Sequence, residues 1–260
     1  MDGNLPQWWI WNYDKENRKF DKDHKKSWNF SLEENPWMKE AKKYYSYEEE
    51  IHSPTTRNEA IHLLNYFVKE HLDDFWKWED AMYLDDTFVH HSNISTALNF
   101  WLLQPMEVVK IIEKQDTAMN NKEWFIRQIL WWREYMYHFF HFYKDDLYTS
   151  NYFWFTKKLP DFFWDSSKNC SSKCVDVVVK RVLSQNYSHH IERLMIIGNY
   201  TLLHRIDPHE VNRWFFEKFT DAFEWVVTPN VLWMSQYADG WKLATKPYVS
   251  SGNYLNKMSD

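Results

Sequence analysis

Residues Tyr187 to Leu203 read Y-S-H-H-I-E-R-L-M-I-I-G-N-Y-T-L-L. The apolar residues from Ile191 onward make the stretch read as a helical run. His189 and His190 point in adjacent helical directions, so at least one must leave the stripe that faces the core. Arg193 follows within one turn. Two readings stand. One histidine is a satisfied core residue and the other is solvated, or the pair carries chemistry, because imidazole titrates near neutral pH.

Helical patterning surrounds this stretch. Thr56 and Glu59 form a capping box, and Ala60, Leu63, Leu64, Phe67 and Val68 make an apolar stripe behind it. Pro105 suits the first turn of a helix carrying Val108, Val109, Ile111 and Ile112. A longer helix is expected from about Glu123 to Tyr143, and another from near Cys174 through the histidine pair. Asp207-Pro208-His209-Glu210 supplies a cap, a proline at the first helical position and a glutamate at the third. Trp214, Phe215, Phe219 and Phe223 follow on roughly one face. From Thr228 onward Pro, Asn, Gly and Ser interrupt the pattern, which reads as functional loops. The expected fold class is all-α over residues 56–260. Residues 1–55 are polar and poorly periodic and read as an extended connector with room for one short helix.

The chain has 260 residues, 44% of them hydrophobic, enough for a substantial core. It has no apolar run of membrane-spanning length and no signal-peptide plan at its start. The two cysteines, Cys170 and Cys174, cannot form a disulfide framework, which makes a reducing cytoplasm the expected location. A net charge of −6 weighs against nucleic acid as a partner.

Further segments extend the text. W-F-F-E-K-F-T-D-A-F-E-W-V-V-T-P-N starts at Trp214, M-S-Q-Y-A-D-G at Met234 and K-P-Y-V-S-S-G-N-Y-L-N-K-M-S-D at Lys246. Upstream lie F-I-R-Q-I-L-W-W-R-E-Y from Phe125, H-S-N-I-S-T-A-L-N from His91, E-D-A-M from Glu79 and W-N-Y-D-K-E-N-R from Trp11. In this order they resemble the iron–sulfur bacterial cryptochromes and (6-4) photolyases, the deoxyribodipyrimidine photolyase-related proteins, over nearly the whole chain. The resemblance implies the helical FAD-binding domain of the photolyase/cryptochrome type, lacking the N-terminal α/β domain that holds an antenna chromophore. It further implies an interior piece of a longer protein, with an α/β domain before Met1 and more cysteines after Asp260.

The resemblance also distributes roles. Ser92, Ser95, Asn99 and Arg133 are implied to contact flavin, as are Asn230, Asp239, Gly240 and Lys246. Without it, His91–Asn99 is a simple N-cap and Arg133 a surface partner of Glu134. His190 is implied to be the lesion-facing proton donor with His189 beside it, and Tyr248, Met234 and Gln128 to line the lesion pocket. Trp164 and Trp214 match electron-transfer positions. Cys174 matches the first ligand of a [4Fe-4S] cluster, which needs four thiolates; Cys170 does not match. The implied activity is light-dependent repair of (6-4) pyrimidine photoproducts in UV-damaged DNA, a lyase reaction. Electrons come from reduced FAD, and a histidine assists proton transfer. Alternatives are a cryptochrome-like flavin photoreceptor without repair activity and a non-functional truncated remnant. Val227 stands where relatives usually have glutamate, and with the acidic charge it favours the photoreceptor, whereas His189-His190 with Tyr248 favours repair. Phe215 stands where relatives often have tyrosine, so a step using that hydroxyl is lost. A monomer is expected.

Tryptophan is abnormally frequent, 17 residues against 4 glycines, where average usage gives roughly eighteen glycines in this length. The resemblance implies glycine at Trp76, Trp101, Trp124, Trp131, Trp233 and Trp241, and at Trp8 or Trp9. Some tryptophans are therefore expected to be glycine in the living protein, encoded by UGA where that codon is read as glycine. The alternative is a divergent homologue with real tryptophans there.

Overall fold

The computed structural model describes residues 20, 22, 28–33, 35–41, 43–44, 53–244 and 248–260. Most of the expected connector lies outside the described residues, as does Lys246. Within it, residues 28–33 form no regular element and α1 is a short helix, Pro36–Ala41.

Thr56 accepts from the backbone N–H of Glu59, and the Glu59 carboxylate returns the bond to the Thr56 N–H at 3.1 Å. This capping box opens α2, Arg57–Glu70, and turns Ala60, Leu63, Leu64 and Phe67 inward. α3 (Leu72–Trp78), α4 (Ser95–Asn99) and α5 (Pro105–Glu113) follow, the last with Pro105 in its first turn. Leu63, Phe67, Ile112 and Phe125 meet in one core. Each such side chain contributes roughly 1.5–3 kcal/mol by leaving water. A second core gathers Val178, Val182, Ile197, Trp214 and Phe215. Its helices are α8 (Lys173–Gln185), the segment 190–203 ending in α9 (Asn199–Leu203), and α10 (Pro208–Lys218). Asp207 caps α10 by accepting from the His209 N–H at 2.9 Å. The described residues hold no strand beyond isolated bridges such as Met82 with Ser259. The chain is all-α.

Three expectations are corrected. The helix from Cys174 does not run through the histidine pair. Asn186 adopts a left-handed conformation (φ 52, ψ 27) and ends α8, as a short amide side chain tolerates. A new helix begins at His190. The helix expected from Glu123 to Tyr143 is longer and irregular: α6 (Met119–Arg127) passes through a π-helical turn, Gln128–Arg133, into α7 (Glu134–Thr149), which kinks at Tyr143 (φ −112, ψ 17). Residues after Thr228 are not yet loop. α11 (Glu224–Thr228) continues into a π-helical turn, Pro229–Ser235, with Pro229 itself keeping helical angles (φ −68, ψ −36).

A further π-helical turn, Glu192–Gly198, follows the histidines. Gly198 at its end permits the close crossing with Pro229–Ser235, since a Cβ there would lie 2.2 Å from Ser235 Oγ.

Candidate functional site

His189 and His190 occupy the entry to their helix and separate cleanly. His189 is buried, whereas His190 is exposed. The imidazole of His189 stacks on that of His91, which is anchored through Nε2 to the Glu79 carbonyl at 2.9 Å. Neither ring nitrogen of His189 has a hydrogen-bond partner, and Glu192 Oε1 is 3.8 Å from Nε2. Burial, then the cations Arg181 and Arg193 and the neighbouring His190, lowers its pKa to about 3. Exposed His190 is lowered to about 4 by desolvation and then by Arg193.

Beneath the pair lies a charged network. Glu192 accepts from Arg181 and, at 2.7 Å, from the Ser188 hydroxyl. Arg181 also donates to the Tyr83 and Leu84 carbonyls at 2.9 and 2.8 Å. Arg193 holds the loop itself, its Nε donating to the Ser188 carbonyl at 2.6 Å and its terminal nitrogens to the two Asp221 oxygens at 3.0 Å each. Ser95 Oγ donates to Asp221 Oδ2 at 2.8 Å, and Asn99 Nδ2 to the Asp221 carbonyl at 3.1 Å. Ser95 and Asn99 are thus linked, through Asp221 and Arg193, to the Ser188 carbonyl just before the histidine pair. Asp221 and Glu192 were missed in the sequence, where nothing local separates them from ordinary surface acids.

Arg133 is largely buried. It pairs with Glu134 at 3.2 Å, reaches the Leu98 carbonyl at 3.5 Å and lies 4.8 Å from the Trp225 ring. Its Nε and the Thr96 hydroxyl are buried without partners. Buried polar groups are seldom left so, and this pair of donors around α4 fits the polar part of a flavin nucleotide. The rest of the expected set fits less well. Ser95 is engaged by Asp221, and Asn230 Nδ2 bonds the Val226 carbonyl at 2.7 Å inside the helix, not in a loop. Asp239 accepts from the N–H groups of Trp241 and Leu243 at 3.0 and 2.7 Å, closing a turn in which Gly240 has φ +67. Ser92 is half-buried, and α4 carries no side-chain cap, against the expected N-cap role.

The remaining candidates are dispersed. Met234 is buried, Gln128 is half-buried in its π-helical turn, and Tyr248 donates its N–H to the Tyr237 hydroxyl. Trp214 is buried with its indole N–H on the Phe163 carbonyl at 2.7 Å; the neighbouring Trp164 lies under Arg213 and Lys218. Cys174 borders an open recess of about 210 Å³ with Arg181, Glu192 and Leu255. A second recess, of about 390 Å³, is walled by Phe153, Phe155, Leu203, Tyr237 and Trp241. Neither recess is enclosed by His91–Asn99, Phe125–Tyr135 and Asn230–Tyr248 together. Among the described residues no group of three or more His, Cys, Asp or Glu is placed to hold a metal, and no helix is long and apolar enough to cross a membrane.

The architecture matches that of a bacterial class III photolyase from Agrobacterium tumefaciens, with a TM-score of 0.55 and 17% identity over 78% of this chain and 50% of that one. The fold is the helical domain of photolyases. In sequence the chain is 43% identical over 209 residues to a (6-4) photolyase of Agrobacterium fabrum, covering 79% of this chain and 41% of that protein. It is also 46% identical over 66 residues to an uncharacterised protein of Acanthamoeba polyphaga mimivirus, 25% of this chain and 54% of that one. No model of a protein family matches. The chain belongs to the (6-4) photolyase family and spans less than half the length of its photolyase relative.

Proposed function

We propose that the chain is the flavin-binding, lesion-facing part of an enzyme that repairs (6-4) pyrimidine photoproducts in UV-damaged DNA under light. The observation that carries this reading is His190, exposed at the helix entry next to His189, which is buried and stacked on His91. FAD, when bound in reduced form, supplies the light-excited electron. Arg133 and Thr96 hold its polar part with their unpartnered donors, and Asp221 keeps Ser95 and Asn99 in place beside them. His190 serves the flipped lesion. Its low pKa leaves the ring neutral at neutral pH, so proton uptake waits for an anionic neighbour, a DNA phosphate or the reduced lesion, which raises the pKa. The proton then passes to the lesion and returns when repair is complete.

Cys174 offers one thiolate where a [4Fe-4S] cluster needs four, and no step is assigned to a cluster. The test is light-dependent restoration of a (6-4)-damaged oligonucleotide with the wild-type protein and with His190→Ala. Full repair by His190→Ala overturns the proton-transfer role. A flavin photoreceptor without repair is the second reading, favoured by Val227, an apolar side chain 5% exposed where relatives usually carry a carboxylate. It is supported by a light-induced flavin spectrum with no repair.

A further inference from the structure

We propose that Asp221 is a positioning residue that ties the loop carrying the histidine pair to the α4 turn. Its carboxylate takes both terminal nitrogens of Arg193 and the Ser95 hydroxyl, and its backbone carbonyl takes Asn99. The same guanidinium holds the Ser188 carbonyl, immediately before His189. Arg193 also lies 4.2 Å from the Phe219 ring, which keeps it in place but leaves α4 untied. One carboxylate therefore links residues 95–99 to residues 188–190. That these are the cofactor and lesion sides of one site rests on the proposed function; the mechanical link does not.

Asp221→Asn keeps the shape and removes the charge. Amides in 95–99 and 188–190 are expected to exchange about tenfold faster or more, the worth of a charge-assisted hydrogen bond, while the other helices stay protected. The His190 ring is expected to titrate at lower pH, because the positive charge of Arg193 is no longer balanced. Loosening of one segment alone or of neither, or an unmoved His190 titration, overturns the proposal. Should Asp221→Asn fail to fold, the pair Asp221→Asn with Arg193→Gln removes both charges and leaves none uncompensated. Protection retained at both segments in that double variant also overturns it. None of these measurements needs flavin or DNA, so a chain that passes them but repairs nothing refutes the function alone.

An independent observation concerns the tryptophans. We infer that positions 101, 154 and 241 are glycine in the protein as its own ribosomes make it. Trp101, Trp154 and Trp241 have φ of 60, 56 and 76, the left-handed region, which costs a residue with a Cβ roughly 1–2 kcal/mol. Burial does not compensate, because the three are 70%, 85% and 45% exposed. Trp241 directly follows Gly240 at φ +67, so two consecutive left-handed residues form the turn. Trp76 and Trp124 add a second kind of misfit, buried indole N–H groups without partners. Trp233 is the counterexample, fully buried and bonded to Ser150 at 2.7 Å.

A UGA codon read as glycine in the cell and as tryptophan on paper accounts for both the strain and the ratio of 17 tryptophans to 4 glycines. The gene should carry UGA at these three codons, and peptides of the native protein should contain glycine there. UGG codons or tryptophan-containing peptides overturn the inference. A recombinant chain with Trp101→Gly, Trp154→Gly and Trp241→Gly should unfold at higher temperature than the tryptophan form; an equal or lower midpoint overturns it as well.

Discussion

The imidazoles of His91 and His189 lie face to face, ring centroids 4.9 Å apart and planes 18° from parallel. Both rings are held far below their ordinary pKa, His91 by burial and then by its neighbour His189, and His189 to about 3. An unfolded chain takes up protons as pH falls through about 6.5, and the folded one does not. The unfolded state thus binds more protons in that window. Stability is fully present above about pH 6.5 and is lost as pH falls, by about 1.4 kcal/mol per pH unit for each such histidine. Denaturant titrations between about pH 7 and 5 measure the slope. His189→Phe, which keeps a ring against His91, should flatten it.

The pair Arg181–Glu192 is almost wholly buried, its side chains 7% and 2% exposed. Arg181→Met strands the Glu192 carboxylate and should cost about 3–5 kcal/mol in chemical denaturation. The double change Arg181→Met with Glu192→Leu removes both charges and should recover most of that loss.

Gly198→Ala should destabilise by about 1–3 kcal/mol, because the new methyl displaces the Ser235 hydroxyl from its bond with Gln236 Nε2. Adding Ser235→Ala relieves the clash and should restore part of the unfolding midpoint. No recovery would place the strain elsewhere.

Trp214→Phe removes the indole bond to the Phe163 carbonyl and should cost about 1 kcal/mol for the bond, besides lost packing. Under the proposed function it should slow light-driven flavin reduction while leaving repair by chemically reduced protein intact. Equal loss of both would assign Trp214 to the core alone.

Local chemistry was legible in the sequence. The Thr56–Glu59 box, Pro105 and the Asp207 cap each settle a helix start within a few residues, and all three stand where expected. What failed to show were decisions made by distant partners. Asn186 breaks a pattern whose apolar spacing continues across it, and Pro229 reads as a breaker yet enters a helix that was already running. The value of Asp221 comes from Arg193, Ser95 and Asn99, the last two more than a hundred residues away. Asn230 and Asp239 are implied as ligand contacts by the family resemblance alone, and nothing local in the sequence shows that their side chains bond their own backbone neighbourhood.

The wide turn at Glu192–Gly198 sits between His190 and the crossing at Gly198. A π-helical turn takes up one residue more than α-helical pitch holds, so deleting one there would close the turn while the stretches on either side keep their phase. The aim of the His190 imidazole is therefore buffered, and the loss of one aliphatic residue inside the turn leaves it pointing where it does.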